Sequence, residues 1–271
     1  MLPFIWSTIL AVCLCFTGYA QHTSPYDVHW GSEAAILATT GALYGTGQYL
    51  RTEVEPLPAS FDYDFDVHDI WVLDRSAALQ WCERSDAWSD HTFHAAAAMP
   101  LLLFADKRVR KDAWKIGLMF GETMMLSDGI TNVFKGTTSR KRPYLYNPDA
   151  PEYLRYKKQA TMSFLSGHTS STAMLSFFAA KVYADYHPDS PYQYVGYGSA
   201  FALTAATGYL RYRAGKHYPT DIIAGFAVGA LSGWLIPELH RADRALWLRR
   251  LQVRSSSLDT GERTVGLVYT F

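Results

Sequence analysis

The stretch from Leu210 to Asp221 concentrates groups that could carry out phosphoryl chemistry. It holds three cationic side chains, a histidine and a carboxylate, and it lies between two strongly apolar segments. Pro219 suits the first turn of a helix, so His217 would lie at the start of that helix. Asp221, one turn along, could fix one ring nitrogen of His217 and leave the other to attack. With Arg211 nearby, this predicts attack on a phosphoryl group whose charge a guanidinium holds.

A second cationic stretch runs from Lys135 to Pro143. Lys135 closes a long apolar helix, where the helix dipole favours a cation, and Arg142 lies in the loop that follows. Taken alone, this stretch is also typical of the basic flank of a membrane helix. The stretch from Leu210 to Asp221 has its own simpler explanation, a solvated charged loop between two apolar helices.

The third stretch is Ser163 to His168, followed by a run of Ser and Thr and then apolar residues. Ser166 is a natural N-cap, and Gly167 lets the backbone approach a ligand, so the first-turn amides would point at an anion. His168 would lie at the start of the same helix. By itself the Ser-Gly-His sequence indicates little more than a capping serine.

Together, the three stretches resemble the type 2 phosphatidic acid phosphatase superfamily, which includes bacterial class A acid phosphatases, lipid phosphatases and vanadium haloperoxidases. The family pattern is Lys-x6-Arg-Pro, then Pro-Ser-Gly-His, then Ser-Arg-x5-His-x3-Asp. The matching residues here are Lys135, Arg142, Pro143, Ser166, Gly167, His168, Arg211, His217 and Asp221. Leu165 stands where the family has Pro, and Leu210 stands where it has Ser. Neither position carries the chemistry, so the departures bear on subfamily more than on reaction.

The resemblance implies a phosphatase that works through a phosphohistidine intermediate. His217 would attack phosphorus while Asp221 holds its tautomer, and His168 would protonate the leaving oxygen and then activate water. The phosphate-binding groups would be Lys135, Arg142, Ser166, Gly167 and Arg211. Because these groups take the place of a metal ion, we expect no metal and no cofactor in the site.

The apolar helices around the motifs favour a phosphorylated lipid as substrate and a membrane surface as partner. A soluble acid phosphatase of broad range is the alternative, which the mean hydropathy of −0.08 favours. A vanadium-dependent haloperoxidase or a phosphotransferase could use the same anion site, but Asp221 and the short chain favour a phosphatase. The formal net charge of zero gives no reason to expect nucleic acid as a partner. The sequence does not determine the oligomeric state.

Apolar periodicity predicts helices over residues 32–50, 70–81, 95–104, 114–134, 169–186, 192–212 and 220–239. With no linker or repeat, we expect residues 21–245 to form one all-α bundle of the acid phosphatase/vanadium haloperoxidase type. Alternating residues near the C-terminus predict a short β-hairpin within residues 246–271.

Residues 1–20 are almost wholly apolar and end in small residues, Gly18 and Ala20, which predicts a signal peptide or an N-terminal anchor. Cys13 and Cys15 would leave with a signal peptide, so Cys82 would have no partner for a disulfide. We therefore expect an exported, membrane-associated protein on the periplasmic side of a bacterial envelope.

Two segments of the chain bear on the extent of membrane contact. Residues 190–210 are long enough to span a bilayer without a charge. Gly225, Gly229 and Gly233 share one helix face and allow close packing in lipid or in a soluble bundle. We expect a bundle that touches or partly enters a membrane.

Some residues near the motifs allow two interpretations. Asp90, His91 and His94 form a thin candidate metal cluster. Trp71, Trp81 and Trp88 could mark a bilayer interface or belong to the core. Four further cations near the motifs are expected to face solvent or lipid headgroups: Arg140, Lys141, Arg213 and Lys216.

Overall fold

A computed structural model describes residues 24–58 and 65–243, together with the backbone of residues 251–257 and 263–269. The predicted signal peptide or anchor over residues 1–20, with Cys13 and Cys15, lies outside this part of the chain. Between residues 24 and 243, the described chain consists of α-helices joined by turns and short 3-10 segments. The prediction of an all-α bundle is confirmed.

The α-helices of this region are α1 (Trp30–Glu53), α2 (Glu83–Leu102), α3 (Lys107–Lys111), α4 (Ala113–Thr138), α5 (Gly167–Tyr186), α6 (Tyr192–Arg213) and α7 (Pro219–Leu239). The 3-10 segments are Val67–Asp69, Arg75–Leu79, Leu103–Ala105, Pro143–Tyr146, Glu152–Leu154 and Lys158–Thr161. Near the C-terminus, the backbone of β1 (Leu251–Ser257) pairs antiparallel with that of β2 (Arg263–Tyr269), with Leu251 opposite Tyr269. Because their side chains are outside the described part, the terminal hairpin stays a prediction.

Two helix predictions were wrong for identifiable reasons. Residues 70–81 form turns and a 3-10 segment rather than an α-helix. Their apolar residues Trp71, Val72 and Leu73 are exposed, so the periodicity does not mark a buried face. Helix α2 begins at Glu83, well before the predicted residue 95, because its first half is polar and shows no apolar period. Acidic residues in that first turn suit the helix dipole.

Helix α5 is the centre of the bundle and is buried along most of its length. It packs against α2, α4, α6 and α7. Its surface is rich in Ala, Ser and Thr, so neighbouring helices can approach it on several sides. Phe178 anchors a core cluster with Ile116 and Met119 of α4. This central position fixes where the start of α5, with His168, lies in the molecule.

The glycine stripe of α7 packs directly on the backbone of α5. A Cβ atom at Gly225 would lie 2.6 Å from the Ser166 carbonyl oxygen, and one at Gly233 would lie 2.6 Å from that of Met174. Gly229 meets the Ser170 carbonyl oxygen in the same way. The two helices therefore run so close that any side chain at these positions would force them apart. The starts of α5 and α7 are held side by side as a result.

Within the described residues, one helix is long and apolar enough to cross a membrane, and this helix is α7. A third of its most apolar window is buried inside the bundle. The candidate span is therefore Pro219–Leu239, whereas residues 190–210, although long enough and uncharged, are not apolar enough to qualify.

Candidate active site

A cavity of about 450 Å³ opens at the end of the bundle where α5 and α7 begin. Predicted site residues from three separate stretches line it: Lys135, Arg142, Gly167, His168, Arg211 and His217. The two remaining predicted residues, Asp221 and Ser166, are fully buried and are not among the lining residues. The fold thus brings both imidazoles and three predicted cations to one cavity.

His217 lies in the short connection between α6 and α7 and is only 1% exposed. Its Nδ1 atom is 3.5 Å from Oδ2 of Asp221, which is longer than a hydrogen bond but short enough for an electrostatic contact. Burial, followed by the neighbouring Arg142 and Lys135, lowers the pKa of His217 well below its ordinary value. The imidazole is therefore neutral near pH 7, and a neutral ring has the lone pair that a nucleophile needs.

Asp221 occupies the first turn of α7 and is held from three directions. Its Oδ2 atom accepts hydrogen bonds from the Tyr218 amide at 3.1 Å and from the Ser163 hydroxyl at 2.5 Å. Its Oδ1 atom accepts one from the Arg140 guanidinium. Burial raises the pKa of Asp221, and the charge of Arg140 opposes that shift. These contacts fix the carboxylate beside His217.

Arg140 does not face solvent or headgroups, so that expectation was wrong. Its guanidinium lies between two carboxylates that are both 0% exposed, Asp74 and Asp221. It donates to Oδ2 of Asp74 at 2.6 Å, and Asp74 also accepts from the Thr220 hydroxyl at 2.6 Å and the Thr220 amide at 3.0 Å. Two buried carboxylates require a cation between them, and this requirement draws Arg140 inward.

His168 is the second residue of α5, and its Nε2 atom is 2.9 Å from Oδ1 of Asp90 on α2. Burial and the nearby Arg211 lower the pKa of His168, while Asp90 opposes the shift. A histidine held by a carboxylate at the mouth of an anion site can give and take a proton. Because Asp90 is turned to His168, it does not form a metal cluster with His91 and His94, which are both exposed.

Two cations are held in place by Asp86 of α2. Arg211 donates from NH1 to Oδ1 of Asp86 at 2.5 Å and to the Ser89 hydroxyl at 3.1 Å. Lys216 places its Nζ atom 3.1 Å from Oδ2 of Asp86 and also lines the cavity. The expectation that Lys216 faces solvent was therefore wrong, since its Nζ atom also lies 5.5 Å from the Trp81 ring centroid.

Lys135 and Arg142 are anchored by carbonyl oxygens and not by acids. Arg142 donates from Nε to the Gln159 carbonyl at 2.8 Å, and Lys135 reaches the Met162 carbonyl at 3.4 Å. Burial lowers the pKa of Arg142 to about 10 and that of Lys135 well below its ordinary value. Arg142 is buried and Lys135 is partly buried, and neither has a carboxylate partner among the described residues, so both are suited to receive an anion.

Ser166 and Gly167 have different positions relative to the cavity. The Ser166 hydroxyl pairs with that of Thr169 at 2.8 Å and does not line the cavity, and its role in phosphate binding stays a prediction. The Ser166 amide donates to the Asp221 carbonyl at 3.1 Å, which ties the starts of α5 and α7 together. Gly167 does line the cavity, and a Cβ atom there would lie 3.7 Å from the Lys135 Nζ atom. A small residue at this position keeps the space beside Lys135 open.

Sequence reasoning missed most of the groups that position the site. They are Asp74, Asp86, Ser89, Arg140, Ser163 and Lys216. A signal was present in α2, where Asp86 and Asp90 are four residues apart with Ser89 between them, so all share one helical face. That face was not recognised because the helix was predicted to begin later.

The remaining exposed cations and tryptophans follow the expectations in part. Arg213 and Lys141 are exposed. Trp71 and Trp88 are 58% and 57% exposed, whereas Trp81 packs edge-on against Tyr144. Two of the three tryptophans therefore lie on the surface.

Comparison with known proteins links this geometry to a family. The family model of the PAP2 superfamily matches residues 116–245. A lipid A 4'-phosphatase of Porphyromonas gingivalis is 25% identical over 154 residues, which are 56% of this chain and 61% of that protein. The match thus spans about three fifths of the length of this curated relative.

A solved structure also aligns with the chain. It is the crystal structure of a transmembrane PAP2 type phosphatidylglycerolphosphate phosphatase from Bacillus subtilis. The alignment has a TM-score of 0.47 and 18% identity, and it covers 76% of this chain and 96% of the other.

We expect Arg140→Gln to lower the free energy of unfolding by about 3 kcal/mol, because it leaves two buried carboxylates without their shared cation. The measurement is thermal or denaturant unfolding of the purified chain. The matched control is Arg213→Gln, an exposed arginine at the end of α6, with an expected change within about 0.5 kcal/mol. Equal stability of the two variants would show that Arg140 is not the counter-charge described above.

Proposed function

The chain belongs to the PAP2 superfamily, and from this premise we propose that it hydrolyses phosphomonoesters or diphosphates of membrane lipids through a phosphohistidine intermediate. One observation carries the proposal. A single cavity is lined by a buried neutral imidazole, His217, by a second imidazole held by a carboxylate, and by several buried cations. Such a cavity offers a nucleophile, a proton donor and a place for a phosphoryl group within one enclosure.

His217 is the proposed nucleophile. The Nδ1 side of its ring faces Asp221, which leaves Nε2 to attack phosphorus in line with the leaving oxygen. A P–N bond forms as the P–O bond to the leaving group breaks. The imidazolium that forms gains charge beside Asp221, and this contact then becomes more favourable than in the free enzyme.

His168 is the proposed acid and base. It gives its proton to the leaving oxygen and then takes one from the water that attacks the phosphohistidine. Hydrolysis releases inorganic phosphate and restores the neutral His217. Asp90 orients the His168 ring and supports its protonated form. These two steps consume one water and leave the enzyme unchanged.

The cations hold the transferring group. Lys135, Arg142 and Arg211 surround the cavity, and Lys216 adds a fourth positive charge. Because Arg142 and Arg211 are buried and the two lysines are partly buried, their attraction for the phosphoryl oxygens is less screened than it would be in water. In this proposal the fixed cations and the Gly167 amide stabilise the charge that moves during transfer, so the reaction needs no metal ion at this site.

An apolar cavity beside the catalytic one favours a lipid over a small soluble ester. This second cavity, of about 420 Å³, lies between α2, α4 and α5, and both cavities are lined by Asp128 and Ser171. Its other walls are mainly apolar, including Phe93, Ala97 and Phe120. An acyl chain could occupy it while the phosphate remains among the cations.

Exposed apolar residues near the catalytic end support contact with a membrane. Trp71, Val72 and Leu73 are each more than half exposed, and they directly precede Asp74, which is bonded to Arg140. Trp88 is also exposed, on the helix that carries Asp86 and Asp90. Tryptophan is favoured at the headgroup level of a bilayer. These residues support the proposal that the chain acts at a membrane, and the N-terminal segment is the reason for proposing the extracytoplasmic side.

The nucleophile is tested with His217→Ala. We expect kcat on phosphatidate to fall at least about a thousandfold, because no other group replaces the attacking nitrogen. Rapid quenching with a radiolabelled substrate should trap an acid-labile phosphoenzyme in the unchanged chain and none in the variant. The matched control is His91→Ala, an exposed histidine on α2, with activity near that of the unchanged chain.

Two outcomes would contradict the proposal. Substantial turnover by His217→Ala would exclude this residue as the nucleophile. Bromination in the presence of vanadate and peroxide would assign the anion site to a haloperoxidase, whereas vanadate should only inhibit a phosphatase.

The pH dependence of kcat/KM reports both histidines. The reaction needs neutral His217 and protonated His168, and the pKa values of both are lowered. We therefore expect the pH optimum of kcat/KM to lie below the ordinary histidine pKa of about 6.5. Asp90→Asn removes the carboxylate that opposes the shift of His168. Its pKa should fall further, and the alkaline limb of the profile should move to lower pH.

The control for this profile is Glu83→Gln, an exposed acid on the same helix. It should leave both limbs in place. An unchanged alkaline limb in Asp90→Asn would remove His168 from the role of proton donor.

The acyl-chain cavity is tested with Ala97→Phe, which adds a ring to its wall. Displacing about two methylene groups should lower kcat/KM on a long-chain phosphatidate by about tenfold. Hydrolysis of p-nitrophenyl phosphate, which has no chain, should not change. The control is Ala95→Phe on the exposed face of α2. Equal losses on both substrates would mean that the cavity does not hold the chain.

A further inference from the structure

A second cluster of ionisable side chains lies near the opposite end of the bundle. Glu33 of α1, Glu122 of α4 and His240 at the end of α7 come together there, with exposed fractions of 1%, 0% and 3%. The His240 Nε2 atom is 3.0 Å from Oε2 of Glu33 and 3.3 Å from Oε2 of Glu122. One potential ligand atom from each residue lies within 4.8 Å of the other two.

The hydrogen bond on the far side of the His240 ring fixes its tautomer. The Nδ1 atom is 2.8 Å from the Ile236 carbonyl oxygen, and a carbonyl can only accept, so Nδ1 carries the proton. In the neutral ring, Nε2 therefore directs its lone pair at the two carboxylates. A lone pair facing carboxylate oxygens is repelled unless a positive charge lies between them.

The carboxylates themselves also lack compensation. Neither oxygen of Glu122 has a hydrogen-bond partner in the described part of the chain, and Oε1 of Glu33 has none there either. Buried carboxylate oxygens are ordinarily hydrogen-bonded or bound to a cation. With both acids ionised, the cluster would keep a net negative charge even beside a protonated His240. The orphaned oxygens thus provide evidence of a missing positive partner that is independent of the clustering.

We propose that Glu33, Glu122 and His240 bind one divalent transition-metal ion of the Zn²⁺ or Mn²⁺ class. Zinc has ligands at about 2.0–2.2 Å, so two of its tetrahedral ligands lie about 3.3–3.6 Å apart, close to the two His240 contacts. A metal-bound histidine commonly donates its other N–H to a backbone carbonyl, as His240 does to Ile236. Imidazole with carboxylates suits such ions better than Mg²⁺ or Ca²⁺, which prefer oxygen ligands alone.

The site would join three helices at a point where the described ends of the domain already meet. The Asp27 amide donates to the His240 carbonyl at 2.9 Å, and the Ala242 amide donates to that of Pro25 at 3.0 Å. His240 follows α7, a 21-residue helix of about 31 Å, whose other end carries Asp221. The ion would therefore stabilise the bundle without touching the phosphoryl group. This inference does not rest on the proposed function.

A proton shared between Glu122 and Glu33 could occupy the cluster in place of a metal ion. Burial and the neighbouring Glu33 raise the pKa of Glu122 to about 8, so Glu122 could remain protonated and donate to Glu33. The two occupants differ in what Glu122→Gln should do. Glutamine can donate the same hydrogen bond as a protonated acid, but its amide is a far weaker metal ligand than a carboxylate.

The test uses the full purified chain in detergent, stripped with EDTA and then given Zn²⁺, Mn²⁺, Mg²⁺ or Ca²⁺. Elemental analysis should find one equivalent of Zn²⁺ or Mn²⁺ per chain, with no such binding of Mg²⁺ or Ca²⁺. At a hundredfold excess over the dissociation constant, the thermal unfolding midpoint should rise by about 5 °C. His217→Ala should bind the ion equally well, so this test is independent of phosphatase activity.

Variants locate the ion. His240→Gln and Glu122→Gln should each weaken binding by about a hundredfold or more and lose the rise in midpoint. His68→Ala, an exposed histidine outside the cluster, is the control and should keep both. No bound equivalent in the unchanged chain, or full binding by both cluster variants, would overturn the proposal. If Glu122→Gln were as stable as the unsubstituted protein both without the ion and at every ion concentration, the site would be assigned to a shared proton.

Discussion

The close contact between α5 and α7 is the constraint on which the site depends. The first turn of α5 lines the cavity, and so does His217, two residues before α7 begins. The two could not meet there if ordinary side chains separated the helices. Gly225 lies against the Ser166 carbonyl, and the Ser166 amide donates to the Asp221 carbonyl. The backbone that carries His168 is thereby tied to the backbone that carries His217. His168 and His217 therefore line the same cavity because the backbones of α5 and α7 are in direct contact.

Electrostatics then decides which charged groups enter this contact. The chain has equal numbers of basic and acidic residues, but they are not evenly distributed. Lys135 and Arg142 are held by carbonyl oxygens. Arg211 and Lys216 both pair with Asp86. Arg140 pairs with Asp74 and Asp221. Two kinds of cation result. Cations paired with acids hold the helices and loops around the cavity in position. The charge of the cations held by carbonyl oxygens is not balanced by a carboxylate, so these cations attract an anion more strongly.

The sequence predicted the groups that line the cavity better than those that hold them. Lys135, His168 and His217 belong to short motifs with fixed spacing, and each lies at a helix end where the chain itself determines its position. Asp74 has no local pattern, because its partner Arg140 is far away in sequence. Asp86 does share a helical face with Ser89 and Asp90, but its partner Arg211 is equally distant and the helix was predicted to begin later. Arg140 and Lys216 were predicted on the surface, since a charge between other charges is usually solvated.

The helix boundaries were also predicted well only where apolar residues mark them. Helices α4 to α7 were predicted nearly to their ends because apolar residues recur along them. The start of α2 was missed because its first half is polar and makes ionic contacts in place of burying apolar area. Asp86 pairs with Arg211, and Asp90 pairs with His168. A polar half-helix that packs against charged groups lacks the periodic apolar residues by which helices are predicted, so it is taken for a loop. The half-helix that holds Arg211 and His168 was therefore not recognised in the sequence, although the motifs that contain those two residues were.

Helix α7 connects two ionic clusters, of which the one at its start lacks negative charge and the one at its end lacks positive charge. At its start, unpaired positive charge surrounds a cavity, and at its end, unpaired carboxylate oxygens surround His240. Neither cluster is electrostatically complete on its own, and a helix of about 31 Å between them is too long for one to neutralise the other. Each therefore requires a partner of its own, an anion at one end and a proton or metal ion at the other. The anion must leave with every turnover, whereas the cation can stay, so the two ends need different access. The catalytic cavity opens at the surface of the bundle, and the three residues of the far cluster are almost completely enclosed.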